Sequence, residues 1–243
     1  MAVLVIEHGA GKGSYGVGEA ARRAGLALHD CRAHLGDAVP TALPDDAEAL
    51  VLLGGPQAAW RDEGFPARQA ELQLIRAAVA AELPVLGLCL GAQLLAEAAG
   101  GRAHRGTRGA EVGWVPVRLT DAAATDPLFA GPGGELLVPQ WHEDTMDLPD
   151  GAVLLATGER YAVQAFRIGR SAWALQFHLE AMPGTLEDFA AGVPEESHPA
   201  GVDQLIKAAP ERLEALAPWQ RGVLDRFTAL VAARRLRPVS SRG

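Results

Sequence analysis

The chain has few cysteines, Cys31 and Cys89 being the two among its 243 residues. They form no CxxC pair and no metal-like cluster with the seven histidines, so neither a disulfide framework nor a zinc site is indicated. We therefore expect no metal and no organic cofactor. At least one of the two thiols is free for another use.

A basic surface and long apolar runs are also missing. The formal net charge is −8, and the basic residues are scattered apart from Arg234, Arg235 and Arg237, so a nucleic-acid partner is not expected. No stretch approaches the roughly 18 uninterrupted apolar residues of a membrane span. Residues 1–6 lack the basic and cleavage-site features of a signal peptide, and we expect a soluble cytoplasmic protein without a membrane partner.

The composition is that of a folded protein, with 49% hydrophobic and 21% charged residues. Three short apolar runs in the first half end in glycine, and helical periodicity lies between them at roughly 17–27 and 66–81. The three runs are 2–9, 49–56 and 83–91. This alternation predicts an α/β fold, with parallel strands joined by crossover helices on both faces of an open sheet.

The second half changes character, because strand-like runs there follow one another directly. These runs are 111–119, 134–142, 152–157, 162–166 and 171–180. Hairpins are therefore expected to extend the parallel sheet in an antiparallel sense. From Thr185 the pattern is helical again, interrupted at 193–200, with a long amphipathic stretch over 211–236. We expect a domain over 1–190 and a helical extension over 191–243 that packs on it, the last helix offering core packing or a homodimer face.

Glycines follow the first strand at 9, 11, 13, 16 and 18 and invite a phosphate-binding interpretation. The details do not support it. GAGKGS lacks the spacing of a P-loop, and no acidic residue closes a second strand about twenty positions on, as a dinucleotide site requires. The segment favours a flexible loop over the edge of the sheet.

Cys89 stands between an apolar strand and a predicted helix, within the sequence Gly-Leu-Cys-Leu-Gly at 87–91. This is the pattern of a nucleophile elbow, in which glycines permit a sharp turn that exposes the nucleophile. The start of a helix also favours negative charge on a thiol. The alternative is a buried structural cysteine in a tight turn, which is the interpretation we give to Cys31.

A thiol nucleophile needs a base and a group that orients the base. His178 and Glu180 in QFHLE are two residues apart, so on an extended strand their side chains would share a face. The carboxylate could then fix the tautomer and orientation of the imidazole. Taken alone, His178 would more often be a packing residue.

Acyl chemistry also needs hydrogen-bond donors for an oxyanion. Gly54, Gly55 and Pro56 end a predicted strand at the same edge of the sheet as Cys89. The backbone N–H groups of Gly55 and Leu90 could form the oxyanion hole. A simple strand-ending turn is the alternative.

Three motifs in this order, GGP at 54–56, GLCLGAQ at 87–93 and HLE at 178–180, resemble the class I (triad) glutamine amidotransferases over residues 2–190. Two further motifs, EVGW at 111–114 and WHEDTMDLP at 141–149, are similar to stand-alone proteins that resemble the amidotransferase domain of GMP synthase. The resemblance implies the flavodoxin-like fold of that family and a triad of Cys89, His178 and Glu180.

It further implies that Gly55 and Leu90 hold the oxyanion and that Gln93 contacts bound glutamine. Gly54 and His142 are weaker candidates for substrate binding, and His142 could equally be a packing residue. Glu143 and Asp144 are expected to lie in a solvated turn. Ala92 replaces a histidine that many family members carry, but that position lies outside the triad.

No SGGxDS-like synthetase loop follows the triad motifs in this sequence, so we do not expect a complete GMP synthase. Ammonia would then pass to a separate synthetase subunit. Alternatively, the protein is a γ-glutamyl peptidase or hydrolase without such a partner, or a non-catalytic regulatory subunit. The intact triad argues against the last.

Overall fold

The computed structural model describes residues 2–131 and 133–235. Within these residues the chain forms eleven strands and five α-helices, together with three short 3-10 turns. The strands are β1 (Ala2–Glu7), β2 (Ala27–Arg32), β3 (Ala47–Leu52), β4 (Val85–Leu88), β5 (Ala103–Arg105), β6 (Glu111–Leu119), β7 (Glu135–His142), β8 (Asp144–Met146), β9 (Val153–Gly158), β10 (Ala165–Ile168) and β11 (Ala172–Leu175). The helices are α1 (Tyr15–Arg23), α2 (Arg68–Ala80), α3 (Leu90–Ala98), α4 (Thr185–Ala191) and α5 (Val202–Arg235).

Nine strands form one mixed sheet in the order β2-β1-β3-β4-β11-β10-β9-β6-β7. The first five are parallel to one another, and the last four extend the sheet through antiparallel pairings. The predicted α/β fold with a parallel sheet and a hairpin extension is therefore confirmed. Strands β5 and β8 form a separate antiparallel pair.

Helices cover both faces of the parallel half because its strands are apolar on both sides. On β1, Val3 and Val5 lie in one core cluster, which receives α1 and α5. Leu4 and Ile6 lie in the other, which receives α2 and α3. The sheet is thus the middle of three layers, and the carboxyl ends of its parallel strands converge at one edge.

Several elements differ from the expectations. β2 was not predicted, because its ALHDCR sequence exposes polar residues on an edge strand and has no apolar run. The pair β5 and β8 is too short to leave a pattern. The last helix begins at Val202 and not near 211, and it continues through Pro210 and Pro218.

The loop in the glycine-rich segment is shorter than expected. α1 begins at Tyr15, so Gly16 and Gly18 are buried helical residues. The preceding turn does not stand free, because Gly11 lies directly against the backbone of Asp188 in α4. Residues 236–243 of the expected helical extension lie outside the described residues. No helix in the described part of the chain is long and apolar enough to cross a membrane.

Candidate active site

Cys89 occupies a sharp turn between β4 and α3. Its backbone has φ 51° and ψ −107°, a conformation that residues other than glycine rarely adopt. Its N–H donates to Leu175 O at the end of β11, at 2.9 Å, and its side chain is 6% exposed. The strained backbone is what a nucleophile elbow requires. Cys31 lies elsewhere, on the edge strand β2, with its Sγ near Ala38 O.

The two glycines around Cys89 are explained by close backbone contacts. A Cβ on Gly87 would lie 2.5 Å from Gly91 O, where the chain folds back on itself. A Cβ on Gly91 would lie 2.6 Å from Leu52 Cβ on the neighbouring β3. Both distances are too short for real carbon atoms, so only glycine lets α3 start this close to the sheet.

His178 and Glu180 are paired as expected, but not by the expected backbone. β11 ends at Leu175, and the next five residues form a bend and a turn. His178 N–H donates to Pro139 O of β7 at 3.0 Å, which draws the chain away from its strand partners. The prediction of a strand through residue 180 was therefore wrong. The turn still brings His178 Nδ1 to 2.8 Å from Glu180 Oε1, with both side chains buried.

The charge state of His178 follows from its neighbours. Burial lowers the pKa of His178, but the Glu180 carboxylate and the Cys89 side chain raise it more strongly, to about 9. Its Nε2 has no hydrogen-bond partner among the described residues, so the second ring nitrogen is available on the side of Cys89 and the cleft. An imidazolium stabilises a neighbouring thiolate, which is the nucleophilic form of cysteine.

Gly54 and Gly55 lie next to this pair at the end of β3. A Cβ on Gly54 would lie 3.1 Å from His178 Cε1 and 3.5 Å from Cys89 Cβ, so Gly54 packs beneath the two side chains and does not line the cleft. Gly55 and Leu90 both line the cleft beside Cys89. A Cβ on Gly55 would lie 3.0 Å from Leu90 Cδ2, which shows how close the two residues are.

Gln93 and His142 both hold the start of β8 at Asp144. Gln93 Nε2 donates to Asp144 O at 3.0 Å and to Gln176 Oε1 at 3.2 Å. His142 Nδ1 lies 2.8 Å from the same Asp144 O, and its Nε2 lies 3.1 Å from Glu111 Oε2. Both residues line the cleft, and both are already engaged by neighbouring protein groups.

A buried polar pair under the GGP turn was missed. His8 follows β1, and its Nε2 lies 2.7 Å from Glu71 Oε2, with both side chains fully buried. His8 Nδ1 lies 3.0 Å from Leu53 O, immediately before Gly54. The pair fixes the end of β3 from below. No sequence pattern predicts that a histidine at a strand end contacts a glutamate on α2.

Cys89, His178, Gly55, Leu90, Gln93 and His142 share one cleft of about 420 Å³. Two further residues of this cleft were not predicted. Lys12 enters from the glycine-rich turn, and Asp144, expected in a solvated turn, is half-buried with its Oδ1 unpartnered among the described residues. A second cavity of about 400 Å³ lies at the opposite edge, near Pro84 and Ser171, and contains none of the expected site residues.

Comparisons with known proteins place this chain among related sequences. The family model "Glutamine amidotransferase class-I" matches residues 21–190. The glutamine amidotransferase-like protein YfeJ of Salmonella typhimurium is 34% identical over 191 residues, which are 77% of this chain and 79% of that protein. A glutamine-hydrolyzing GMP synthase subunit of Halobacterium salinarum is 31% identical over 137 residues, 56% of this chain and 67% of that one.

Solved structures give the same result at the level of the whole fold. A glutamine amidotransferase of Thermotoga maritima superimposes with a TM-score of 0.83 at 29% identity, covering 94% of this chain and 98% of that one. A glutamine amidotransferase of Methylobacillus flagellatus gives 0.84 at 28% identity, covering 100% and 98%. The chain therefore belongs to the class I glutamine amidotransferase family.

Proposed function

We propose that the protein hydrolyses the side-chain amide of glutamine, with Cys89, His178 and Glu180 as its catalytic triad. The observation that carries the proposal is the geometry of the triad. Cys89, with its strained backbone, lies in one cleft with His178. The Nδ1 of His178 lies 2.8 Å from Glu180 Oε1. Family membership supports amide hydrolysis in general, and the residue roles are our proposal.

In the first step the Cys89 thiolate attacks the side-chain carbonyl carbon of glutamine. The backbone N–H groups of Gly55 and Leu90 stabilise the oxyanion that forms. The imidazolium of His178 gives its proton to the departing nitrogen, and ammonia leaves as the C–N bond breaks. The product of this step is a γ-glutamyl thioester on Cys89.

In the second step water attacks the thioester, and His178 takes a proton from the water. The C–S bond then breaks, glutamate leaves and the Cys89–His178 pair is restored. Glu180 orients the imidazole and stabilises its charge throughout, without itself transferring a proton. The net reaction converts glutamine and water into glutamate and ammonia.

The test is to incubate the purified protein with glutamine and to measure ammonia and glutamate. Cys89→Ala is expected to lower kcat by about four orders of magnitude or more, because it removes the nucleophile. Cys31→Ala, the matched control, is expected to retain full activity. Equal turnover by wild type and Cys89→Ala would refute the triad assignment.

A γ-glutamyl peptidase is the second candidate, because the cleft has room for a leaving group larger than ammonia. At about 420 Å³ the cleft falls within the range of pockets that enclose whole small ligands, about 300–1,000 Å³. A γ-glutamyl compound larger than glutamine would have room. Incubation with γ-glutamyl peptides distinguishes the two functions, because the peptidase releases an amino acid or peptide amine in place of ammonia.

A separate acceptor protein is the third part of the proposal. The Halobacterium relative is named as one subunit of GMP synthase, and by that likeness ammonia made here would be consumed on another chain. Addition of such a synthetase subunit is expected to raise glutamine turnover. An unchanged rate with every candidate synthetase would favour the partner-independent peptidase.

A further inference from the structure

One cation in the cleft has no role in the proposed chemistry. Lys12 is one of only two lysines among the 22 basic residues of the chain, the other being Lys207. Its side chain lines the same cleft as Cys89 and His178. Its Nζ lies 3.4 Å from the ring centroid of Phe189 and 5.2 Å from that of Trp141, so the ammonium rests on aromatic faces.

The glycine-rich turn holds Lys12 in this position. Lys12 N–H donates to Gly9 O at 3.1 Å, which closes the turn. The Tyr15 hydroxyl lies 2.7 Å from Gly11 O and 3.0 Å from Asp188 Oδ2, so it connects the turn to α4. Gly11 has φ +67°, and a Cβ there would lie 2.9 Å from the carbonyl carbon of Asp188. Gly11 thus allows the turn to pack closely against α4.

Lys12 is the basic side chain of the cleft that remains unpaired. No carboxylate among residues 2–131 and 133–235 lies within 4.0 Å of its Nζ. The other lysine or arginine that lines the cleft, Arg105, forms an ion pair with Glu143. Burial lowers the pKa of Lys12 to about 8, although the negative charges of Cys89 and Glu180 act to raise it. A partly desolvated cation with no carboxylate in ion-pair contact favours an anionic ligand.

We propose that Lys12 binds the α-carboxylate of the glutamyl group of the substrate. This inference rests on the proposed γ-glutamyl chemistry. When the γ-carbonyl lies at Cys89, the α-carboxylate is only a few carbon–carbon bonds away, within the same cleft. Lys12 is thus a specificity residue that selects γ-glutamyl compounds over simple amides.

The kinetic test compares glutamine with 4-aminobutanamide, which has the same amide but no α-carboxylate. Lys12→Met keeps the apolar stem and removes the charge. It is expected to lower kcat/KM for glutamine about ten- to a hundredfold, chiefly through KM, because a hydrogen bond to a charged group is lost. Its activity on 4-aminobutanamide is expected to stay within about twofold of wild type, which also shows that the variant folds.

Two controls bracket this result. Lys12→Arg keeps the positive charge and is expected to keep the preference for glutamine. Lys207→Met removes the other lysine, which is exposed on α5, and is expected to leave both substrates unaffected. An equal loss for both substrates in Lys12→Met would overturn the proposal in favour of a general effect on the triad, and no loss for either would overturn it outright.

A binding test does not depend on turnover. Glutamate, which carries the α-carboxylate, is expected to protect Cys89 from alkylation by iodoacetamide, whereas 4-aminobutanoate protects poorly. Lys12→Met should abolish this difference. If wild type protects selectively but does not hydrolyse glutamine, the proposed reaction fails and the Lys12 assignment survives. If Lys12→Met lowers the turnover of γ-glutamylglycine but not that of glutamine, Lys12 contacts the leaving group and the proposal is wrong.

Discussion

At the scale of single residues, the site depends on one buried charge arrangement. Glu180 and Cys89 together outweigh the burial of His178 and keep its imidazole protonated at neutral pH. The imidazolium is the proton donor for the departing nitrogen in the proposed first step. Activity should therefore depend on pH through the pKa of His178.

The expected pH profile falls as pH rises through about 9, where His178 loses its proton. Glu180→Gln removes the negative charge that favours the imidazolium, so the pKa of His178 falls. The alkaline limb of kcat/KM for glutamine should move down by about one to three pH units. The measurement is kcat/KM across pH 6–10 in both proteins, and an unchanged alkaline limb would contradict the role of Glu180.

The sequence points to the proposed triad residues because each carries a local signal, a glycine-flanked cysteine and a His-x-Glu spacing. Lys12 and Asp144 were missed for a physical reason. The position of Lys12 depends on α4, and that of Asp144 depends on β8, and both elements are distant in sequence from Cys89. A lysine among glycines and an acidic pair in a turn look the same whether or not a cleft lies beside them.

At the scale of elements, the contact between α3 and β3 sets the position of Cys89. Gly91 lies in the first turn of α3, where its Cα faces the backbone and Cβ of Leu52. The N-terminus of α3 can approach the sheet only while this position has no side chain. The elbow is therefore a property of two packed elements and not of the turn alone.

Gly91→Ala tests this packing. The added methyl group must displace α3 from β3, which is expected to lower the free energy of unfolding by about 1–3 kcal/mol and to reduce glutamine turnover. Gly222→Ala, in α5, is the matched control. Its Cβ would meet only the flexible end of Arg226, so the change should be neutral or stabilising by up to about 1 kcal/mol. The measurement is denaturant unfolding of both variants. Equal losses in the free energy of unfolding would contradict this account.

The elements themselves were largely predictable from pattern. Apolar runs that end in glycine predicted β1, β3 and β4, and direct succession of strand-like runs predicted the antiparallel extension. The errors occurred where tertiary contacts override local pattern. β11 ends early because β7 draws His178 away, and α5 passes through two prolines while it packs along the sheet and α1.

At the scale of the whole molecule, α5 is part of the core that positions the site. Its apolar residues join the cluster that covers one face of β1, β3, β4 and β11. These residues are Leu216, Val223, Leu224, Phe227 and Val231. The family model ends at residue 190, so this helix lies beyond the matched region. We propose that it is nevertheless required for folding.

Truncation after Gly201 tests that proposal. Removal of α5 would expose the apolar face of the parallel sheet, so the shortened chain is expected to aggregate or to lose cooperative thermal unfolding. Circular dichroism melting against the full chain is the measurement. A cooperative transition and glutamine turnover in the truncated chain would show that α5 is an accessory element.

The amino-acid sequence alone predicts the alternation of β1, β3 and β4 with helices, the sharp turn at Cys89 and the proximity of His178 to Glu180. These features follow from short-range patterns, since apolar periodicity, glycine spacing and a two-residue separation act within a few positions. The packing of distant elements is needed to bring Lys12 and Asp144 beside Cys89 in one cleft and to place His8 and Glu71 beneath the GGP turn. Those contacts join residues dozens to more than a hundred positions apart, and they exist only because the sheet order and the packing of its helices bring distant strand ends to one edge.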